Sequence, residues 1–160
     1  MFVVIDVDGT LADNTHRAHF LKDGAKNMEA YLAAVEVAKD SAFPEAVRVV
    51  AKLQELKYDI VILSERPEAL RDTTMRWLLA EYALDIPETQ LLMRPTGNML
   101  GDLEGKREQF GSFMSGIETR RSGFIFIDDN PAVCASMELY GHTLLAPKCW
   151  ETLFPKIVPA

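Results

Sequence analysis

The chain has 160 residues, 48% hydrophobic and 26% charged, a balance that excludes a largely disordered protein and suffices for one ordinary core. Its 17 basic and 24 acidic side chains give a formal charge of -7, which excludes global electrostatic attraction to a polyphosphate backbone. Cys134 and Cys149 show neither metal-type spacing nor a disulfide framework, so a reducing cytosol and a packing role for both thiols are expected.

The opening run MFVVIDVDG has no basic segment ahead of its apolar residues and does not read as a signal peptide. No stretch reaches the roughly 18 consecutive apolar residues of a spanning helix, so the expectation is a soluble, cytoplasmic protein with no membrane contact. Phe2 to Ile5 is a β-branched apolar run ended by the turn Asp8-Gly9, the pattern of a strand buried on both faces. Asn14 to Phe43 interrupts the pattern and reads as one or two short helices, including Tyr31 to Val37, inserted as a small cap over residues 14–43. Pro44 opens a helix whose apolar face carries Ala46, Val49, Val50, Leu53 and Leu56. A second strand, Asp59 to Leu63, follows, and then a helix over Glu68 to Tyr82. Gln90 to Met93 is a weaker strand, and Leu103 to Ile117 a helix interrupted by glycines at 105, 111 and 116. Gly123 to Ile127 is a third strong strand, 131 to 140 a last helix, and Thr143 to Ala146 another weak strand.

Strand and helix alternating in this way imply parallel pairing with right-handed crossovers, hence a single α/β domain over residues 1–160, a doubly wound, mostly parallel sheet of four or five strands. Ligands in such sheets bind at the strand carboxyl ends. Asp6, Ser64 and Asp128 each stand just after an expected strand, so polar clusters far apart in sequence should converge on one crevice.

DVDGT places Asp6 and Asp8 at alternate positions, which a period of two sends the same way. Two close carboxylates either share a proton or bind a cation, and both outcomes suit phosphoryl transfer. The plain alternative is a strand-ending turn in which Asp hydrogen-bonds to the backbone. Asp128-Asp129-Asn130 at another strand end brings a second acidic pair, costly beside the first without a metal, and hard oxygen donors point to magnesium. Taken alone, that triplet could simply cap the helix opened by Pro131. Read as isolated residues, Lys106, Arg17, Arg66 and Arg94 are solvated surface charges. Trp77 and Trp150 are read as packing residues, and no interleaving of basic and aromatic residues suggests a nucleic-acid platform.

The combination resembles the haloacid dehalogenase-like (HAD) phosphohydrolase superfamily: DxDGT at Asp6 to Thr10, a Ser after a hydrophobic strand at Ser64, the basic Lys106, and the acidic Asp128 and Asp129, in the expected order. Within it the chain resembles the phosphatase domain of phage-type polynucleotide kinases, through DVDGTLAD with His16-Arg17, Ser64-x-Arg66-Pro67, Leu92-Met93-Arg94-Pro95, and Asp102 four residues before Lys106. The resemblance implies a Rossmann-like fold and a phosphomonoester hydrolase with Asp6 as nucleophile and Asp8 as general acid, then base. It implies that Ser64 and Lys106 hold phosphate oxygens, and that Asp102 orients Lys106. Magnesium would be held by Asp6, the backbone carbonyl of Asp8, Asp128 and Asp129. Arg17, Arg66 and Arg94 become candidates for substrate contact, and His16 a cap residue near substrate.

Two positions depart from the pattern. Glu65 stands where Gly is usual, and would repel substrate or recruit a second cation if turned inward; Asn130 stands where Arg is expected in close relatives. The implied substrate is a nucleotide or a polynucleotide 3'-phosphate end, and a short cap leaves the crevice open to bulky molecules. The alternatives are a small-metabolite phosphatase that closes its crevice by subunit contact, which brings a homo-oligomer with it, and a catalytically weakened binding or regulatory module. No GxxxxGK[ST] loop for a kinase half is present.

Overall fold

In the computed structural model, which describes residues 1–22, 27–97, 100–115 and 123–157, β1 (Phe2–Ile5) is the centre of a parallel sheet. A two-residue antiparallel ribbon pairs β2 (Ala12–Asp13) with β3 (Ser41–Ala42), closing the base of the inserted segment. Strands β4 (Asp59–Pro67), β5 (Leu91–Arg94), β6 (Phe124–Asp128) and β7 (Gly141–Leu145) complete the main sheet in the order β5-β4-β1-β6-β7, every pair parallel. The order reverses at β1, whose neighbours are β4 on one side and β6 on the other, and such a switch point opens a crevice at the carboxyl edge.

The inserted segment holds a 3-10 stretch (Thr15–Leu21) and two one-turn helices, α1 (Met28–Tyr31) and α2 (Ala34–Val37). A helix expected over Tyr31 to Val37 is broken because Ala33 is extended, with φ -61° and ψ 131°. Asn27 caps α1 by accepting from the Ala30 amide. Next come α3 (Pro44–Glu55) and α4 (Arg71–Tyr82), with a 3-10 turn at Glu68–Leu70 where a continuous helix was expected. The remaining helices are α5 (Asp102–Ser115), α6 (Pro131–Met137) and α7 (Lys148–Ile157). The expected continuation of α5 through Gly116 to Ile117 lies outside the described residues, whereas α6 stops three residues short of its expected end and hands over to β7.

Alternation along the strands divides the core in two. Val3, Ile5, Ile60 and Ile62 pack under α3, α4 and α7, whereas Phe2, Val4, Val61 and Leu63 pack with Phe110, Val133 and Met137 on the other face. Burying each such side chain contributes about 1.5–3 kcal/mol, and the two layers hold the sheet's register. Trp77 and Trp150 are buried as expected, as are the free thiols Cys134 and Cys149. Helix α7 was not foreseen; it packs on α3 and sends the Trp150 indole N–H to the Thr10 carbonyl at 3.0 Å, tying the end of the chain to the turn after β1. No helix among the described residues is long and apolar enough to cross a membrane.

Candidate active site

Register alone brings the acids together. Ile5 pairs with Ile62 on one side and Ile127 on the other, so Asp6, the next residue, is level with Asp128. The Asp6 amide still donates to the Ile127 carbonyl at 2.9 Å, which holds the nucleophile candidate against β6. After Asp8 the chain turns at Gly9, where φ is +82°, and a Cβ there would lie 2.2 Å from Asp129 Oδ2. Only glycine allows both that conformation and that approach, so the last residue of Asp-Val-Asp-Gly sets how closely Asp129 comes to the first.

Asp6, Asp128 and Asp129 each offer a carboxylate oxygen within 4.8 Å of the others. Asp6 and Asp128 are buried and Asp129 exposed. Burial pushes the Asp6 carboxyl well above the usual carboxylate range, Lys106 pulls it back, and the neighbouring Asp128 and Asp8 add to the rise. Asp128 and Asp129 are raised too, by burial first. Lys106 Nζ lies 2.8 Å from Asp128 Oδ2, 2.9 Å from Asp6 Oδ1 and 3.2 Å from Asp102 Oδ1. Burial opposes its charge, but those three carboxylates outweigh it and hold the amine firmly protonated. One ammonium cannot balance this many carboxylates, and a hard divalent cation fits the oxygen donors that remain.

Asp8 has the opposite surroundings. Arg66 Nε reaches its Oδ2 at 2.9 Å and Arg66 Nη2 its Oδ1 at 2.8 Å, while Arg17 Nη2 also donates to Oδ1. Burial opposes ionisation there, yet the two guanidiniums win and the Asp8 carboxyl lies below the usual range. Both arginines are held in turn by Asp40: Arg17 Nε donates at 2.8 Å, Arg17 Nη2 at 2.7 Å and Arg66 Nη2 at 2.6 Å. The Trp77 indole N–H donates to the Asp40 carbonyl at 2.7 Å, and the Arg17 guanidinium stacks 4.3 Å from the Tyr31 ring centre.

The surface reading of Lys106, Arg17 and Arg66 is therefore corrected: all three are buried, at 3%, 0% and 1% exposure, because each sits among carboxylates that compensate its charge. Arg94 is half-buried at the end of β5. A cleft of about 350 Å³ is lined by Asp6, Asp8, Glu65, Asp102, Lys106, Asp129 and Asn130. Ser64 is fully buried behind that wall, its Oγ accepting from the Arg66 amide at 3.2 Å. His16 lies away from the cleft, its Nε2 3.2 Å from the Glu36 carbonyl and its Nδ1 3.7 Å from Asp40. Asn130 caps α6 through the Ala132 amide and also donates to Asp102 Oδ2 at 2.7 Å.

Asp40 was missed in the sequence. It stands just before the Phe43-Pro44 helix entry, where an acidic residue looks like turn chemistry, and nothing local marks it as a partner for arginines 23 and 26 positions away. Gln109 was missed for the same reason, and the structure sets its side chain against Glu65.

Carboxylates gathered around one buried ammonium, at the switch point of a sheet of this order, define the class: a domain of the haloacid dehalogenase type. A profile described as "Polynucleotide kinase PNKP phosphatase domain" matches residues 1–145, and the chain belongs to that family. A solved Pnkp1/Rnl/Hen1 RNA repair complex contains a chain 25% identical over 90% of this one and 41% of its own length, with a TM-score of 0.66. The present chain thus spans under half the length of that relative. The class C acid phosphatase from Bacillus anthracis is 20% identical, covering 82% of this chain and 52% of its own, at a TM-score of 0.58. A haloacid dehalogenase-like hydrolase from Streptococcus pneumoniae is 13% identical over 90% of this chain and 83% of its own, at 0.61, a likeness of fold. No curated protein matches the chain.

Proposed function

We propose that the protein hydrolyses phosphomonoesters through an aspartyl-phosphate on Asp6, with magnesium as cofactor and a nucleotide or polynucleotide 3'-phosphate end as substrate. The observation that carries this reading is the Lys106 amine, buried and shared between Asp6 at 2.9 Å and Asp128 at 2.8 Å. Lys106 supplies charge where the equatorial phosphoryl oxygens would lie, and Asp102, 3.2 Å away on the same helical face, orients it.

An Asp6 carboxylate oxygen attacks phosphorus, the bond to the leaving oxygen breaks, and that oxygen takes the proton that Asp8 must first bind against the pull of Arg66 and Arg17. Asp8 then accepts a proton from the water that attacks the aspartyl-phosphate, releasing inorganic phosphate and restoring Asp6. Arg17 and Arg66 support the second role: they orient Asp8 and favour its carboxylate form. In this reading they act on substrate through Asp8, Arg94 is left as the guanidinium nearer the cleft wall, and Ser64 meets phosphate only if the β4 end opens. Asp6, Asp128 and Asp129, with the Asp8 carbonyl, would hold magnesium, which offsets the negative charge of substrate and carboxylates alike.

The likeness to a chain of an RNA repair complex supports a substrate of nucleic-acid chemistry, whether a nucleotide or a polynucleotide end. Magnesium-dependent phosphate release from a generic aryl phosphate tests the hydrolase reading, and loss of release in Asp6→Asn at unchanged circular dichroism tests the nucleophile. Undiminished release in excess chelator would overturn the metal assignment.

A further inference from the structure

The residue that departs from the family pattern at the second motif is held in the cleft wall by its own supports. Gln109 Nε2 donates to Glu65 Oε1 at 2.7 Å. The carboxylate also occupies the space above Gly105, where a Cβ would come 2.6 Å from Oε1 and 2.9 Å from Oε2. Helix α5 thus provides both the donor and the gap that keep Glu65 turned toward the cleft. The charged groups acting on it are Asp102 and Lys106 from α5 and Arg94 from β5. Its carboxylate draws on the positive field of Arg94 and Lys106, the cations that a second phosphate on the substrate would use.

Across the cleft, Asn130 adds no charge. Its amide is committed to Asp102 and its carbonyl to the α6 cap. Of the side chains lining the cleft, five are carboxylates and one is an ammonium. The bound phosphoryl group can be matched by Lys106 and a metal, but a further anionic group beside it must compete with the Glu65 carboxylate for Arg94 and Lys106.

We infer that Glu65 is a specificity-determining residue, which restricts the cleft to phosphomonoesters whose leaving group carries no further phosphate, a nucleoside being of the right chemistry, and disfavours polynucleotide ends. This inference rests on the proposed hydrolase reading and narrows its substrate.

The test compares adenosine 3'-monophosphate with adenosine 3',5'-bisphosphate at low salt and at pH 8, above the value of about 7 to which burial pushes the Glu65 carboxyl, following release of the 3'-phosphate by product chromatography. The native protein should favour the monophosphate by about tenfold or more in kcat/KM. Glu65→Gln, which keeps the shape and the Gln109 hydrogen bond, should bring the ratio to within about threefold, chiefly through a lower KM for the bisphosphate. Glu138→Gln, an exposed position past the end of α6 at the opposite edge of the sheet, should leave the ratio alone. Calorimetric binding of both compounds to Asp6→Asn, with and without Glu65→Gln, gives the same ratio without turnover. A native ratio near unity, or an equal response of both compounds to Glu65→Gln, would overturn the inference. Absence of turnover with an intact binding ratio would overturn the hydrolase reading and leave the role of Glu65 supported.

Discussion

Asp6 and Asp8 leave the same strand two residues apart and carry the same functional group, yet they belong to opposite kinds of charge cluster. Asp6, Asp128 and Asp102 gather on one lysine with Asp129 beside them, and the Asp6, Asp128 and Asp129 carboxyls are pushed up. Around Asp8, Arg17 and Arg66 face Asp8 and Asp40, two cations against two anions, and the Asp8 carboxyl is pulled down. The first cluster is short of positive charge and suits a cation and a phosphoryl group. The second is self-sufficient and suits a rigid support for one proton-transferring group. The difference teaches that what a carboxylate does here depends less on its place in the motif than on how many guanidiniums the fold delivers to it.

The largest expected effect lies at the first cluster. Asp6→Asn should lower turnover by at least about a thousandfold, the scale of losing a covalent nucleophile. It should not cost stability at neutral pH. Because the folded-state pKa of Asp6 is raised, its favourable contribution is complete below the usual carboxylate range and is lost as pH rises through the raised value. The variant's melting temperature should therefore gain on the native protein with rising pH, and a thermal melt series across pH checks this. Asp8→Asn should show the reverse sign, since a lowered pKa stabilises above the usual range and that contribution disappears as pH falls through it. Matching pH trends for the two variants would break the comparison.

Metal should act on the first cluster alone. Excess chelator should abolish phosphate release, magnesium should restore it, and calcium should restore it poorly because its larger, looser coordination misplaces the reacting oxygens. In a thermal shift assay, saturating magnesium at a hundred times its dissociation constant should add about 2.7 kcal/mol of stability. Asp128→Asn should lose most of that gain, while Arg17→Lys should retain it.

At the second cluster the expected effect is structural. Arg66→Leu leaves Asp40, whose side chain is fully buried, with one guanidinium instead of two, and should cost about 3–5 kcal/mol in urea unfolding. A loss below about 1 kcal/mol, within the range of an exposed ion pair, would mean that the balanced cluster contributes little to the fold.

The smallest effect belongs to Glu65, which burial first and Asp102 second push up to about 7, against the pull of Lys106, Arg94 and Gln109. A raised carboxyl pKa costs stability as pH climbs from the usual glutamate range through about 7. Glu65→Gln should therefore melt higher than the native protein at pH 8 and close to it at pH 5. A gap of equal size at both pH values would mean that the carboxyl is unperturbed.

What the sequence determined by itself was the pattern that local physics writes plainly. Apolar runs gave the central strands, Pro44 and Pro131 opened their helices, and Asp6, Lys106, Asp102, Asp128 and Asp129 stood in motif order. Strand ends come to one edge of a parallel sheet whatever the details, so their convergence followed from the alternation of elements. The tertiary structure decided what depends on partners remote in sequence. Arg17, Arg66 and Lys106 are buried only because carboxylates from other elements meet them, and Asp40 matters only because two arginines reach it. The direction of Glu65 rested on Gln109 and the bare Cα of Gly105, 44 and 40 positions further along. A charge in a sequence carries no record of its eventual solvent, and burial, which sets whether that charge is paired, shifted or exposed, is a property of the folded chain alone.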